Sequence, residues 1–311
     1  MSLLTIQNLV KRYGDDVAVN GVNLQVEPGD IYGVLGPNGA GKSSTIHAVT
    51  GLLNFDQGHI VFEDGKTIDQ WSSHIGLVPQ ELAIYLDLSA QENVEFFCSL
   101  YGFSNSEVKQ RAQHALDFVG LKEVKEKRAD HFSGGMKRRL NLACAISHSP
   151  KLLIMDEPTV GIDPQSRNHI LESVLRLRDE GVTVIYTSHY MEEVNEICNK
   201  IAIIDHGKVI ANGTKQEIKG MVNEMKMCSI SFSQNIKDAK ALQRSLLSIP
   251  GVTKTVIKAA QCDCFYEKDA KVIEPIVMAT AAAGLEIDDI VNETPSLETV
   301  FLSLTGKQLR D

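Results

Sequence analysis

Apolar and β-branched positions come in short runs at the start of the chain. Residues 3–10, 17–27 and 31–35 read as strands, broken by the polar stretch Lys11–Asp16 and by Glu27-Pro28-Gly29. A helical run, Ser44–Leu53, follows, and then two more extended runs, Gly58–Glu63 and His74–Val78. From about Leu88 to Arg128 the period lengthens. Val94, Phe97 and Leu100, and later Ala112, Ala115, Leu116 and Val119, recur at three- and four-residue spacing, which predicts helices with a turn near Gly102, Asn105 and Ser106. Ser133-Gly134-Gly135 opens another helix, Met136–Ser147, which Pro150 closes. Lys151–Met155 and Thr183–Tyr186 are apolar strands of the kind buried in parallel sheets, with a helix from about Gln165 to Asp179 between them. Ile201–Asp205 and Val209–Ala211 read as a hairpin around His206-Gly207. This is the pattern of an α/β core with a helical insertion.

Past Gly213 the texture shifts again. Residues 214–225 are charged and helical, and residues 226–292 then read β-α-β-β-α-β. The strands are Met227–Phe232, Thr255–Lys258, Cys262–Tyr266 and Glu286–Val291, and the helices Lys237–Ser248 and Val272–Ala283, an order that is a ferredoxin-like split unit. Thr294 as N-cap and Pro295 at the first helical position start a last helix with Leu297, Val300, Phe301 and Leu304 on one stripe. The expected layout is an α/β domain over 1–215 with a helical subdomain at about 85–145, a linker helix over 216–225 and an α+β accessory domain over 226–311.

With 311 residues the chain is long enough for one large domain or two of ordinary size. Composition narrows the classes of partner. No run of about 18 apolar residues occurs, so no membrane-spanning helix is expected, and Met1-Ser2-Leu3-Leu4 does not open a secretory signal. The net charge of −9 argues against nucleic acid as a partner, because phosphate backbones call for a basic footprint. Lys137-Arg138-Arg139 reads as a solvated helix face. The six cysteines are scattered and read as reduced, buried thiols; Cys262-Asp263-Cys264 lacks a second ligand pair and reads as an ordinary strand before a metal or redox pair.

The chemistry concentrates in Gly36-Pro37-Asn38-Gly39-Ala40-Gly41-Lys42-Ser43, a complete G-x-x-x-x-G-K-[ST] loop between a strand and a helix. Its glycines let successive backbone N–H groups turn toward phosphate oxygens, and the helix that follows adds its positive end. Lys42 reaches the β- and γ-phosphates and the Ser43 hydroxyl holds Mg²⁺, so a nucleoside triphosphate is the expected ligand. A second element completes the pattern. Leu152-Leu153-Ile154-Met155 is an apolar strand that ends in Asp156-Glu157, which puts acid at a carboxyl edge where ligands bind. Asp156 then steers Mg²⁺, and Glu157 stands one residue on as general base for the attacking water.

These residues together resemble the nucleotide-binding subunit of an ATP-binding cassette (ABC) transporter, over residues 2 to about 215. Gln80 in Val78-Pro79-Gln80 matches the family's Q-loop, Phe132-Ser133-Gly134-Gly135-Met136 its signature, Val160-Gly161-Ile162-Asp163 its D-loop and His189 its switch histidine. The resemblance implies a P-loop cassette with a mixed sheet core, an antiparallel β subdomain and a helical signature subdomain. It implies that Gln80 joins Ser43 and Asp156 at the metal, that Gln80 and His189 assist Glu157, that Tyr13 stacks on adenine and that Ser44 keeps a hydroxyl for the α-phosphate. It also implies a head-to-tail dimer around two ATP, in which Ser133, Gly134, Gly135 and Asp163 serve the opposite protomer.

Two positions depart from the family pattern, Met136 for the usual Gln and Phe132 for the usual Leu, while Ser133 and Gly135 are intact. Glu293–Gly306 and Leu88–Gly102 resemble the drug-resistance and polysaccharide exporter branch, in which ATPase and permease are separate chains. The expected protein is thus a cytoplasmic ATPase, a homodimer or paired cassette when ATP-bound, held at the inner face of the membrane by an ABC permease. An importer ATPase, or a soluble ABC ATPase acting on ribosomes or nucleic acid, stands as the alternative.

Overall fold

A computed structural model describes residues 2–220, 225–293, 297, 300 and 301, which fall in two units divided at Asn212 and Gly213. In the first unit, strands β1 (Leu4–Tyr13) and β2 (Asp16–Val26) form a hairpin, followed by β3 (Ile31–Leu35), helix α1 (Lys42–Val49) and β4 (Gln57–Phe62). Strands β1, β2 and β4 make a three-stranded antiparallel sheet in the order β2-β1-β4. Lys11–Asp16 is not the break that its polarity suggests. Tyr13 pairs with Asp16 and only Gly14 and Asp15 turn; the strand end is exposed, so the apolar alternation that marks a strand disappears there.

Short helix α2 (Ile68–Trp71) leads to β5 (Ile75–Val78), and the insertion follows as α3 (Ala90–Ser99), α4 (Asn105–Phe118) and α5 (Gly134–Ile146). Ser89 with Glu92 and Ser104 with Glu107 form capping boxes that set where α3 and α4 begin. The chain returns through β6 (Leu152–Asp156), α6 (Pro164–Asp179), β7 (Thr183–Ser188), α7 (Met191–Ile197), β8 (Lys200–Asp205) and β9 (Lys208–Thr214). Six strands form one sheet in the order β5-β6-β7-β3-β8-β9, parallel from β5 through β8. His206 and Gly207, both at positive φ, turn the chain tightly from β8 into β9. Every residue of β3, β6 and β7 is buried, as strands covered on both faces require. Ile46 and Val49 of α1 share one core with Leu4, Ile6 and Val22 of the small sheet and Tyr32, Val34, Leu152 and Ile154 of the large one. Because β3, β7 and β6 are adjacent and parallel, their carboxyl ends open on one edge. That edge receives the glycine loop, residues Thr187–His189 and the Asp156-Glu157 pair.

In the second unit the helix expected over 214–225 is α8, Lys215–Gly220, and residue 225 already belongs to a strand. The order β10 (Met225–Phe232), α9 (Ala239–Leu247), β11 (Val252–Lys258), β12 (Gln261–Glu267), α10 (Ile273–Ala282), β13 (Ile287–Glu293) folds as an antiparallel sheet β11-β12-β10-β13. That is the strand order of a ferredoxin-like unit. Cys228, Cys262 and Cys264 lie in its core with Ile230, Leu242 and Leu246. The Cys262 and Cys264 sulfurs are 3.7 Å apart, and the Cys262 thiol together with burial pushes the Cys264 thiol pKa up. Leu297, Val300 and Phe301 are helical and buried; Thr294, Pro295 and Leu304 lie outside the described residues.

Candidate active site

The loop after β3 is threaded between two strands, and its glycines are where it touches them. A Cβ on Gly36 would stand 2.3 Å from the Ile204 carbonyl oxygen of β8, and one on Gly41, at φ +100°, 2.2 Å from that of Ala18 on β2. The turn after β8 fastens the loop from outside: the Gly207 N–H donates to Ala40 O at 2.9 Å, and the Asn20 N–H to Gly207 O at 2.8 Å. Gly41 opens α1 with no side-chain cap, unlike Ser133 at α5 and Asp163 at α6. The first N–H groups of α1 therefore face the loop cavity without a competing side-chain acceptor.

Three polar side chains, those of Lys42, Glu157 and His189, meet above this loop. Lys42 Nζ donates to Gly36 O at 2.9 Å and pairs with Glu157 Oε1 at 3.1 Å; the other oxygen, Oε2, lies 3.2 Å from His189 Nδ1. Glu157 has φ +46°, a left-handed conformation that costs a non-glycine residue about 1 kcal/mol. Its N–H donates to the carbonyl oxygen of Thr187 at 3.2 Å and to the Thr187 hydroxyl at 2.9 Å, and that hydroxyl donates to Asp156 Oδ1 at 2.6 Å. Asp156 and Glu157 are 2% and 6% exposed, so neither carboxylate is screened by bulk water.

A cavity of about 460 Å³ is lined by Asn38–Ser44, Gln80, Glu157, Asp16 and Ala18, with Asp156 and His189 behind Glu157 and outside its lining. It brings Lys42, Ser43, Ser44, Gln80 and Glu157 to one space. Tyr13 is not in its lining: the ring is 51% exposed and has Lys11 Nζ 5.5 Å from its centre. Ser133, Gly134, Gly135 and Asp163 do not line it either.

Those four form a second cluster. Ser133 caps α5 by accepting from the Met136 N–H at 3.3 Å, so the unusual Met136 keeps the cap through its backbone, and Phe132 is buried. Asp163 caps α6, accepting from the Ser166 N–H at 2.9 Å and the Ser166 hydroxyl at 2.7 Å, and the hydroxyl contact leads in holding its carboxyl below the ordinary value. The starts of the two helices touch. A Cβ on Gly135 would fall 1.8 Å from Ser166 Oγ, which only glycine avoids. Above Gly134 the space is open.

The Lys137-Arg138-Arg139 run is not the solvated face its composition suggests. Arg138 donates to the Gln80 carbonyl oxygen and, at 3.5 Å, to that of Val160, while Arg139 reaches Val119 O at 3.2 Å. One guanidinium thereby links α5 to the segments that carry Gln80 and Asp163.

The ABC transporter family matches residues 19–160. The linearmycin resistance ATP-binding protein LnrL of Bacillus subtilis (strain 168) is 42% identical over 312 residues, which cover 99% of this chain and 100% of that one. The chain belongs to the ABC transporter ATP-binding proteins. The Nod factor export ATP-binding protein I of Cupriavidus metallidurans is 34% identical over 314 residues, covering 100% of this chain and 99% of that one. A solved dimeric bacterial ABC transporter cassette superposes with a TM-score of 0.63 at 25% identity, covering 68% of this chain and 98% of that chain.

The cassette is accordingly an ATPase of the type coupled to transport. Among its described residues no helix is long and apolar enough to cross a membrane. Sequence reasoning missed Thr187, Arg138 and the Gly207 clamp. Their work is done through hydrogen bonds to residues at least 20 positions away, and no local pattern signals it.

Proposed function

We propose that the cassette hydrolyses ATP as one of a pair and drives export through a separate membrane permease. The observation that carries the hydrolytic part is the meeting of Lys42, Gln80 and Glu157 at one cavity beside the glycine loop. Lys42 leaves its carbonyl and carboxylate partners for the phosphates of ATP, to which it is better matched in charge. Glu157, freed from Lys42 and still beside His189, accepts the proton of the attacking water. His189 orients that carboxylate. Ser43, Gln80 and Asp156 offer a hydroxyl, an amide carbonyl and a carboxylate, a hard-oxygen set that suits Mg²⁺. When bound there, Mg²⁺ neutralises charge developing on the phosphates.

The pair is supported by what the cavity leaves out. The N-terminus of α5, capped by Ser133, has open space above Gly134 and lies outside the cavity lined by this chain's own phosphate loop, so it offers itself as a second anion site. A partner's ATP is its natural occupant, and a dimeric cassette stands among the similar structures. The permease reading has its own support. Half of the exposed large apolar side chains among the described residues lie between positions 82 and 101, including Tyr85, Phe96 and Leu100. Buried Asn93 holds this segment, accepting from the Tyr85 N–H at 2.7 Å and donating to Tyr85 O at 2.9 Å, just after Gln80. Such a patch beside a nucleotide-contacting loop suits an apolar partner helix. Export, rather than import, follows the resistance and export roles named for the relatives.

Two measurements test the proposal. With turnover blocked by Glu157→Gln, ATP should double the mass seen by light scattering, and adding Ser133→Arg should leave a monomer that still binds ATP; a dimer in that double variant would refute the trans contact. Phe96→Glu should keep ATPase activity yet lose co-purification with a polytopic membrane protein, and unchanged recovery of that protein would remove the patch from the interface.

A further inference from the structure

The Thr187 hydroxyl joins the two carboxylate positions, and its hydrogen-bond polarity is fixed. The backbone N–H of Glu157 can only donate, so Thr187 Oγ1 accepts there at 2.9 Å. Its single proton is then left for Asp156 Oδ1, at 2.6 Å. Thr187 is wholly buried, and Asp156 is its register partner in the parallel pair of β6 and β7. One residue further on, β6 stops and Glu157 enters its left-handed conformation. At that point the Glu157 N–H is shared between the Thr187 carbonyl oxygen at 3.2 Å and the closer Thr187 hydroxyl, so a side chain reinforces the backbone contact at the end of β6. With the backbone so held, Glu157 directs Oε1 to Lys42 and Oε2 to His189, itself two residues beyond Thr187.

We infer that Thr187 is a positioning residue for hydrolysis, whose one hydroxyl sets both the metal-side carboxylate Asp156 and the orientation of the base Glu157. The inference rests on the roles given above to Asp156 and Glu157. It separates Thr187 from a residue that only fills the core, because valine has nearly the same shape and lacks the two hydrogen bonds, whereas serine keeps them.

The test compares Thr187→Val, Thr187→Ser and Glu157→Gln in the full chain, with ATP turnover measured across Mg²⁺ and ATP concentrations. Thr187→Val should lower kcat by about 10- to 100-fold with KM for ATP within about threefold, and raise the Mg²⁺ concentration for half-maximal rate about fivefold. Thr187→Ser should restore most of both. Wild-type turnover and Mg²⁺ response in Thr187→Val, beside an inactive Glu157→Gln, would overturn the role of Thr187 alone. A fully active Glu157→Gln would instead remove the base, and this inference with it. If the valine variant does not fold, Thr187→Ala against Thr187→Ser carries the same comparison: an inactive alanine variant with an active serine one supports the role, and equal activity of the two overturns it.

Discussion

Lys42 and Glu157 form an ion pair of 3.1 Å whose side chains are only 5% and 7% exposed. It ties the loop after β3 to the acid after β6, across the intervening β7. Removing one member of such a buried pair leaves the other charge uncompensated, which is far worse than removing both. Lys42→Met should therefore destabilise the nucleotide-free cassette by about 3 kcal/mol, and adding Glu157→Gln should recover most of that loss. Urea unfolding of the two single variants and the double variant measures the coupling, and strictly additive costs would rule it out. ATP affinity should stay low in both lysine variants, since the phosphates lose their cation either way.

Glu157→Gln alone is expected to behave differently. The amide keeps the shape and can still accept from Lys42, so the phosphate cradle survives while the water loses its proton acceptor. ATP affinity should stay within about threefold of wild type, while phosphate release falls at least about 100-fold. Turnover near the wild-type rate would assign the proton transfer to another group.

Much of this site could be read from residue order, because the parts concerned are local. A glycine loop between a strand and a helix, and an apolar strand ending in Asp156-Glu157, are each complete within about ten residues. The parallel core was legible too, since β3, β6 and β7 are buried on both faces and read as continuous apolar runs. What stayed hidden depends on distant partners. Helix α7 carries Glu193, fully buried, and a buried carboxylate in a charged run looks like surface until its partners are known. Tyr186 and Ser188 each donate to it at 2.9 Å, and Arg167 lies 2.9 Å away on α6. Arg138 was misread for the same reason: its acceptors are the carbonyls of Gln80 and Val160, which only the fold brings near.

The contact between the starts of α5 and α6 gives a sharper test of the signature region. Alanine at Gly135 would place its Cβ 1.8 Å from Ser166 Oγ and 2.4 Å from Ser166 Cβ, so one helix must shift. Gly135→Ala should lose about 1–3 kcal/mol of stability by overpacking and weaken ATP-dependent dimer formation, with ATP binding to the monomer retained. Ser166→Gly should relieve both effects in the double variant, whereas Ser166→Ala should not, because its Cβ remains. Size-exclusion chromatography with ATP in the Glu157→Gln background reads the dimer, and equal rescue by glycine and alanine would discount the clash.

His148 makes the stability of the cassette depend on pH. Its ring stacks on Tyr101 at 3.8 Å, Nε2 donates to Ile75 O at 3.1 Å, and buried Nδ1 has no partner. Burial leads in pushing its pKa down to about 4 from 6.5, and Arg111 and His74 act in the same direction, against the Ile75 contact. The unfolded chain therefore takes up this proton first as pH falls. The stabilising effect of a neutral His148 is complete above about pH 6.5 and is lost progressively toward pH 4, amounting to about 2 kcal/mol between pH 7.5 and pH 5. His148→Phe keeps the stack but not the contact to Ile75 O, so at pH 7.5 it should be about 1 kcal/mol less stable than wild type. At pH 5 that deficit should vanish or reverse, because phenylalanine does not titrate. Urea midpoints of the two proteins at both pH values decide it. Parallel losses on acidification would show that other groups carry the pH dependence and that His148 contributes none of it.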